Sequence, residues 1–100
     1  MPEIVKQGEL SVTGTTIITG SSDEFCTRVL NIRINNPAAY SITVERYEAA
    51  TATTVTLYTV SLSAGDTLTD NLGYALRLGD QLIITSSIAG STYYAYIYPV

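Results

Sequence analysis

The chain has 100 residues, of which 46% are hydrophobic and 14% charged, and its formal net charge is −4. This length favours one domain over residues 1–100, and the composition excludes intrinsic disorder, which combines low hydrophobicity with high net charge. The five basic residues are scattered and form no basic stripe, so we expect no nucleic-acid partner.

The start of the chain predicts two strands, over 5–12 and 15–19, followed by a loop at 20–23. Residues 1–14 could instead form an extended arm that adds a strand to the sheet edge of a neighbouring subunit. In that arrangement Ile4 and Val5 are interface candidates. The simpler alternative is that the segment is the first strand of the domain or a frayed end.

The middle of the chain shows apolar and polar residues in alternation. Residues 30–35 predict a strand with one dry and one wet face, which ends at Asn36-Pro37 because proline cannot donate to a ladder. A second alternating strand is predicted around 42–45. The segment 55–62 looks apolar on both faces, which predicts a central strand.

Turn residues punctuate the second half of the chain at 64–66, 78–80 and 89–91. Extended segments around these turns are predicted at 68–72 (a short edge segment), 74–78, 82–84 and 93–98. Eight or nine short strands without long helices predict an all-β fold. The fold class expected is an antiparallel β-sandwich of about eight short strands, jelly-roll-like.

The last predicted strand is rich in tyrosine and is the most distinctive feature of the sequence. In a strand, Tyr94, Tyr96 and Tyr98 share one face, and Tyr93 lies on the other with an alanine and an isoleucine. We expect the three-tyrosine face to belong to the core in preference to an exposed platform. Tyr93 and Tyr98 are the favoured interface candidates on this strand.

Side chains that commonly carry enzyme chemistry are scarce. The chain has no histidine and one cysteine, Cys26, which excludes serine–histidine or cysteine–histidine pairs and a zinc site. Asp66, Asp70 and Asp80 lie near turns and, if they converged, could bind calcium or cleave a glycosidic bond. We favour the interpretation that an aspartate after glycine, as at positions 66 and 80, caps its turn by bonding its own backbone. We therefore predict no enzyme, no catalytic residue, no metal site and no cofactor.

Two further features bear on location. A single cysteine excludes an intrachain disulfide, which suits a reducing compartment. The first residues lack a signal-peptide pattern, and no apolar run approaches the ~18 residues of a membrane-spanning helix. We expect a soluble protein made in a cytoplasm, without a membrane partner.

Three stretches between Val29 and Ile97 form a pattern: LNIRINNP at 30–37, ITV at 42–44 with VTLY at 55–58, and the paired Gly-Asp turns LSAGDTL at 62–68 and LRLGDQL at 76–82. This pattern resembles the small β-sandwich or jelly-roll structural proteins of tailed-bacteriophage virions, which coat, cement or extend the particle. The resemblance implies an assembly role, with the major capsid protein or another virion protein as partner.

The function expected from this resemblance is that of a capsid cement or decoration protein, bound to the major capsid protein lattice as a homotrimer. It would act in the virion, assembled in the host cytoplasm. A Thr-rich, weakly charged surface with tyrosines suits permanent packing. Two alternatives stay open: a neck, tail or baseplate component that forms a ring, and a carbohydrate-binding module with a tyrosine platform.

Overall fold

The protein is built from β-strands, whose Thr-, Val-, Ile- and Tyr-rich sequences favour pleated, half-buried surfaces. A computed structural model describes residues 4–20, 27–71 and 73–99, with side chains for these except at positions 4, 27–30, 98 and 99. The strands in the described ranges are β1 (Ile4–Glu9), β2 (Thr15–Thr19), β3 (Thr27–Asn35), β4 (Tyr40–Glu48), β5 (Thr53–Leu62), β6 (Thr67–Asp70), β7 (Tyr74–Leu76), β8 (Gln81–Ser86) and β9 (Thr92–Pro99).

The strands form two antiparallel sheets. The five-stranded sheet has the order β1-β9-β3-β6, with β7 also paired to β3, and the four-stranded sheet has the order β2-β8-β4-β5. Because β6 and β7 follow one another along β3, they act as one interrupted strand. The chain then crosses between the sheets at every connection except β4 to β5. This is the jelly-roll sandwich expected from the sequence.

The core lies between the two sheets and is made of alternate residues of the strands. The predicted alternation at 42–45 and 82–84 is confirmed, as is the described part of the 30–35 pattern. The buried hydrophobic residues are Leu10, Ile17, Ile18, Ile32, Ile34, Tyr40, Ile42, Val44, Leu76, Leu82, Ile84, Ala95 and Ile97. Burial of this apolar surface is the main force that holds the sheets together.

Strand β5 lies at the edge of its sheet, so the prediction of a central strand over 55–62 was wrong. Val44 pairs with Tyr58 and Glu45 with Thr56, which leaves Leu57 as the extra residue of a β-bulge. The bulge shifts the alternation by one, so Val55 lies on the same side as Tyr58, and the second apolar face that the sequence alternation suggests is not formed. The edge position fits the 41% exposure of Leu57.

Two predicted strands are shorter than expected. β1 ends at Glu9, so Val12 falls in the following turn and is exposed. β7 ends at Leu76, and Leu78 is exposed in the turn before β8. The predicted edge segment around 68–72 is confirmed for β6, while Leu72 and Cys26 lie outside the described residues.

Two four-residue turns, at 63–66 and 77–80, share one hydrogen-bond pattern. In each, the aspartate N–H donates to the carbonyl of the first residue, at 3.1 and 3.0 Å. The aspartate carboxylate in return accepts from the N–H of that first residue, at 3.3 and 3.2 Å. The interpretation that Asp66 and Asp80 cap their turns through the backbone is therefore confirmed. Gly65 and Gly79 occupy the third position with φ of +78° and +82°.

Alanine substitution of these two glycines should separate backbone strain from steric contact. A Cβ at Gly79 would lie 2.9 Å from the Ala49 Cβ, whereas a Cβ at Gly65 meets nothing within 4 Å. Both variants place alanine at positive φ, which costs about 1–2 kcal/mol. Gly79→Ala should lose about 1–2 kcal/mol more than Gly65→Ala, because packed neighbours must also move. Urea denaturation measures both, and equal losses would contradict the contact.

Candidate functional site

The three aspartates singled out in the sequence go to separate places. Asp66 is exposed in its turn, whereas Asp70 and Asp80 are buried and bind different partners. No group of three or more His, Cys, Asp or Glu side chains that could hold a metal ion occurs in the described part of the chain. The carboxylates are thus placed for structural hydrogen bonds, and the alternative of a converged calcium or glycosidase cluster is not supported by their positions.

Asp80 holds one end of the sandwich together. Its carboxylate accepts from the Arg46 guanidinium at 3.0 Å and from the N–H groups of Ala49 at 3.0 Å and Arg77 at 3.2 Å. Burial by itself raises the pKa of Asp80, but these hydrogen bonds and the Arg46 charge outweigh it, so its pKa is lowered overall. Asp80 therefore carries its charge at neutral pH and accepts from three groups on two chain segments, the end of β4 with the residue after it and its own turn.

Asp70 joins the two sheets. Its Oδ2 accepts from the Tyr58 hydroxyl on β5 of the four-stranded sheet, at 2.5 Å. The same oxygen accepts from the Tyr74 hydroxyl on β7 of the five-stranded sheet. Burial, then the hydrogen bond to Asp70 and its charge, raise the pKa of both tyrosines above the ordinary value. We call these three residues the sheet latch.

The outer face of the five-stranded sheet carries the two central tyrosines of β9. Residues directly opposite in an antiparallel pair share a face, so the register fixes which side chains are neighbours. They form a surface that we call the tyrosine face: Val5, Gln7, Asn31, Arg33, Tyr94 and Tyr96. An open recess of about 680 Å³ lies beside it, against Gln7, Arg33 and Tyr94. Tyrosine and arginine are enriched at the centres of protein interfaces.

The two rings of the tyrosine face are not coplanar. The centroids of Tyr94 and Tyr96 lie 5.0 Å apart with an interplanar angle of 73°, an edge-to-face contact. A sugar ring stacks on a flat aromatic surface, and two rings at this angle do not provide one together. The arrangement suits an irregular protein surface better than a carbohydrate platform.

The expectation that the face of Tyr94 and Tyr96 belongs to the core was wrong. Ala95 and Ile97 on the opposite face of β9 are fully buried, and Tyr93 packs partly against the core beside them. Isoleucine and alanine are fully buried more often than tyrosine, and this preference could have identified the inner face. The Tyr98 side chain lies outside the described side chains.

The four interface candidates of the sequence are thus not gathered at one place. Val5 lies on the tyrosine face and is 46% exposed, whereas Tyr93 lies on the inner side of the same sheet, opposite Gly8. Ile4 and Tyr98 pair within the sheet by their backbones, and their side chains lie outside the described part. Their role at an interface stays a prediction. So does the arm at 1–14, of which residues 4–9 form β1 against β9.

Sequence reasoning missed the Arg46–Asp80 pair, the sheet latch and the free edge of β5. The first two join residues that are 34 and 12 positions apart, and alternation within a strand carries no signal for such pairings. The third was hidden by the bulge at Leu57. In the described residues no helix is long and apolar enough to cross a membrane.

No protein-family model and no curated protein matches the sequence. Among solved structures, the fold is similar to a protein of Bacillus endospore appendages, a family of disulfide-linked pili (TM-score 0.59, 12% identity, covering 99% of this chain and 86% of that one). It is also similar to a pentameric capsid protein from metagenomic phage sequences (TM-score 0.56, 19% identity, covering 96% of this chain and 61% of that one). A third similar chain comes from the acid-stable capsid of Helicobacter pylori bacteriophage KHP30 (TM-score 0.50, 11% identity, covering 99% of this chain and 92% of that one). At these identities the likeness establishes a shared β-sandwich fold.

Proposed function

We propose that this chain is a non-enzymatic structural protein of a bacteriophage virion. The observation that carries the proposal is the tyrosine face, a half-buried aromatic surface with arginine, asparagine and glutamine side chains around it. Such a surface suits lasting contact with another protein. The likeness of the fold to two capsid chains supports the virion setting.

The finer form of the proposal is a cement or decoration protein that binds the lattice of the major capsid protein after assembly in the host cytoplasm. A permanent contact of this kind needs a rigid surface and no chemistry. The antiparallel sandwich holds the tyrosine face on three adjacent strands, which keeps its side chains in fixed positions. Assembly as a homotrimer remains a prediction from the sequence, and native mass decides between it and the two-chain pairing inferred below.

Purified virions from the host that carries this gene test the role directly. Quantitative mass spectrometry should find the chain in a copy number comparable with that of the major capsid protein. A few copies in each particle would instead favour a neck, tail or baseplate ring. Absence of the chain from purified particles would overturn the virion proposal.

Substitution of the tyrosine face should weaken attachment without unfolding the protein. The double variant Tyr94→Ser/Tyr96→Ser should bind particles that lack this chain at least tenfold more weakly, since central interface tyrosines often contribute more than ~1.4 kcal/mol. Tyr47→Ser is the matched control, because Tyr47 is also half-buried and lies on the outward side of β4. Co-sedimentation measures both, and equal binding by the two variants would contradict this docking surface.

A further inference from the structure

The free edge of β5 differs from every other sheet edge in the described part of the chain. β5 is ten residues long, TTVTLYTVSL, and contains neither a charged residue nor proline. β1 contains a lysine and a glutamate, β2 has five residues, and β6 has four and ends in Asp70. Proteins usually protect exposed edges by short length, charge or proline, because an open edge is a template for another strand. Among the residues that the structure describes, only the bulge at Leu57 protects β5.

The apolar side chains of β5 are incompletely covered. Tyr58, Val60 and Leu62 pack against the core from the inner side and stay partly accessible at the rim of the sandwich. Outward, Thr59 and Ser61 are exposed. A strand added to this edge would cover the apolar residues on one side and meet small hydroxyl side chains on the other.

We propose that a second copy of this chain pairs with β5 antiparallel about a two-fold axis, with Val60 opposite Val60 of the second copy. This inference goes beyond the virion role and does not require it. Each chain carries a net charge of −4, so two copies repel, and β5 offers a long edge without charge for their contact. The pair would join two four-stranded sheets into one continuous sheet.

The register follows from self-complementarity. Five residues, 58–62, lie between the bulge and the end of the strand, and centring on Val60 pairs all of them. Tyr58 then faces Leu62 of the second copy, which extends the apolar inner side. Thr59 faces Ser61 of the second copy, a hydroxyl pair that stabilises antiparallel strands. If the pair were centred on Thr59, Ser61 would face the bulge residue Leu57 of the second copy. If it were centred on Ser61, Thr59 would face Ser63 of the second copy, which lies in the following turn.

A charge-pattern experiment tests both the contact and its register. In the proposed register, position 59 faces position 61 of the second copy. Thr59→Lys/Ser61→Lys puts like charges opposite each other twice, whereas Thr59→Lys/Ser61→Glu puts opposite charges there. If the pair were centred on position 59 or on position 61 instead, that position would face itself in the second copy. Each variant would then place two identical charges opposite each other at the centre. The lysine–glutamate variant therefore keeps the pair only in the proposed register.

Light scattering of the full chain over a range of concentrations gives the native mass. We expect twice the 10.8 kDa of one chain for the wild type and for the lysine–glutamate variant, and one chain for the double-lysine variant. A wild-type native mass of one chain or of three chains would overturn the pairing, and so would polymers that grow with concentration. So would a double-lysine variant that stays paired, or a lysine–glutamate variant that separates.

Cross-linking provides a second measurement that does not depend on those variants folding. In a Cys26→Ser background, Val60→Cys should form a disulfide-linked dimer on mild oxidation, because opposite antiparallel residues lie within disulfide range. Thr69→Cys, on the exposed edge of the other sheet, is the control and should stay monomeric. Equal cross-linking at both positions would overturn the proposal. The virion test above is separate, since it measures presence in particles and not self-association.

Discussion

Replacing Asp80 by alanine is expected to lower the free energy of unfolding by about 3 kcal/mol, among the largest effects of any single polar substitution in this protein. Asp80 is 2% exposed, and its removal leaves the N–H groups of Ala49 and Arg77 without their acceptor. The Arg46 side chain is 36% exposed, so water screens its part of the loss. For a domain of this size the change corresponds to a fall in Tm of roughly 12–24 °C.

Asp66→Ala is the matched control, because Asp66 caps a turn with the same hydrogen bonds. Its side chain is exposed and makes a 3.3 Å hydrogen bond to the Ser63 N–H. Loss of an exposed cap costs about 1 kcal/mol or less. The free energies of unfolding of the Asp80→Ala and Asp66→Ala variants should therefore differ by about 2 kcal/mol, as thermal and urea unfolding would measure. Equal destabilisation would mean that the buried contacts of Asp80 contribute little beyond the turn itself.

The Asp80 effect should also depend on pH. The pKa of Asp80 is lowered in the folded protein, so the unfolded chain takes up its proton at a higher pH than the folded one. The stability that the carboxylate contributes is then fully present above the ordinary carboxyl pKa of about 4 and is lost as pH falls below it. The difference in free energy of unfolding between the wild type and Asp80→Ala should therefore be smaller at pH 3 than at pH 7. Urea unfolding at the two pH values measures it.

The fold could be predicted from the sequence because alternation reports burial directly. Where one face of a strand meets the core, as at 42–45 and 82–84, isoleucine, leucine and valine recur at every second position. The same rule misassigned β5, because the extra residue at Leu57 puts Val55 on the same side as Tyr58 and Val60, although simple alternation places it on the opposite face. Alternation alone did not orient β9 either, because tyrosines occur on both faces of the strand, and only the burial preference of Ala95 and Ile97 distinguishes the inner face.

The candidate site was less accessible from sequence than the fold. The tyrosine face depends on which strands flank β9, and strand order comes from the whole topology and not from any local pattern. Arg33 and Gln7 lie beside Tyr94 although they are far apart in the chain. Local propensity predicts each strand, while long-range pairing decides which polar side chains become neighbours.

Alkaline unfolding should reveal the sheet latch. The pKa values of Tyr58 and Tyr74 are raised in the folded protein, by burial first and then by Asp70. Their contribution to stability is therefore present below the ordinary tyrosine pKa of about 10 and is lost as pH rises above it. For two such groups the free energy of unfolding can fall by at most about 2.7 kcal/mol per pH unit. Partial solvent access keeps the observed fall below this limit.

Phenolate absorbance separates this ionisation from that of the other tyrosines. The chain has eight tyrosines, and we expect at least two to ionise only together with unfolding, as followed by circular dichroism. Ionisation of all eight near pH 10 with the fold intact would contradict the latch. Asp70→Asn, which removes the charge but keeps an amide oxygen as acceptor, should move the delayed ionisation to lower pH.

The double variant Tyr58→Phe/Tyr74→Phe tests the same contact from the tyrosine side. It should lose about 2–3 kcal/mol at pH 7, because hydrogen bonds to a buried carboxylate are stronger than neutral ones. Above pH 10 its stability should fall less steeply than that of the wild type, since its unfolded state no longer gains from ionising these two groups. The two unfolding free energies should therefore converge as pH rises. If the gap were instead near zero from pH 7 to 11, the hydroxyls would add nothing to the packing that phenylalanine keeps, and the two sheets would be joined at this edge by apolar contacts.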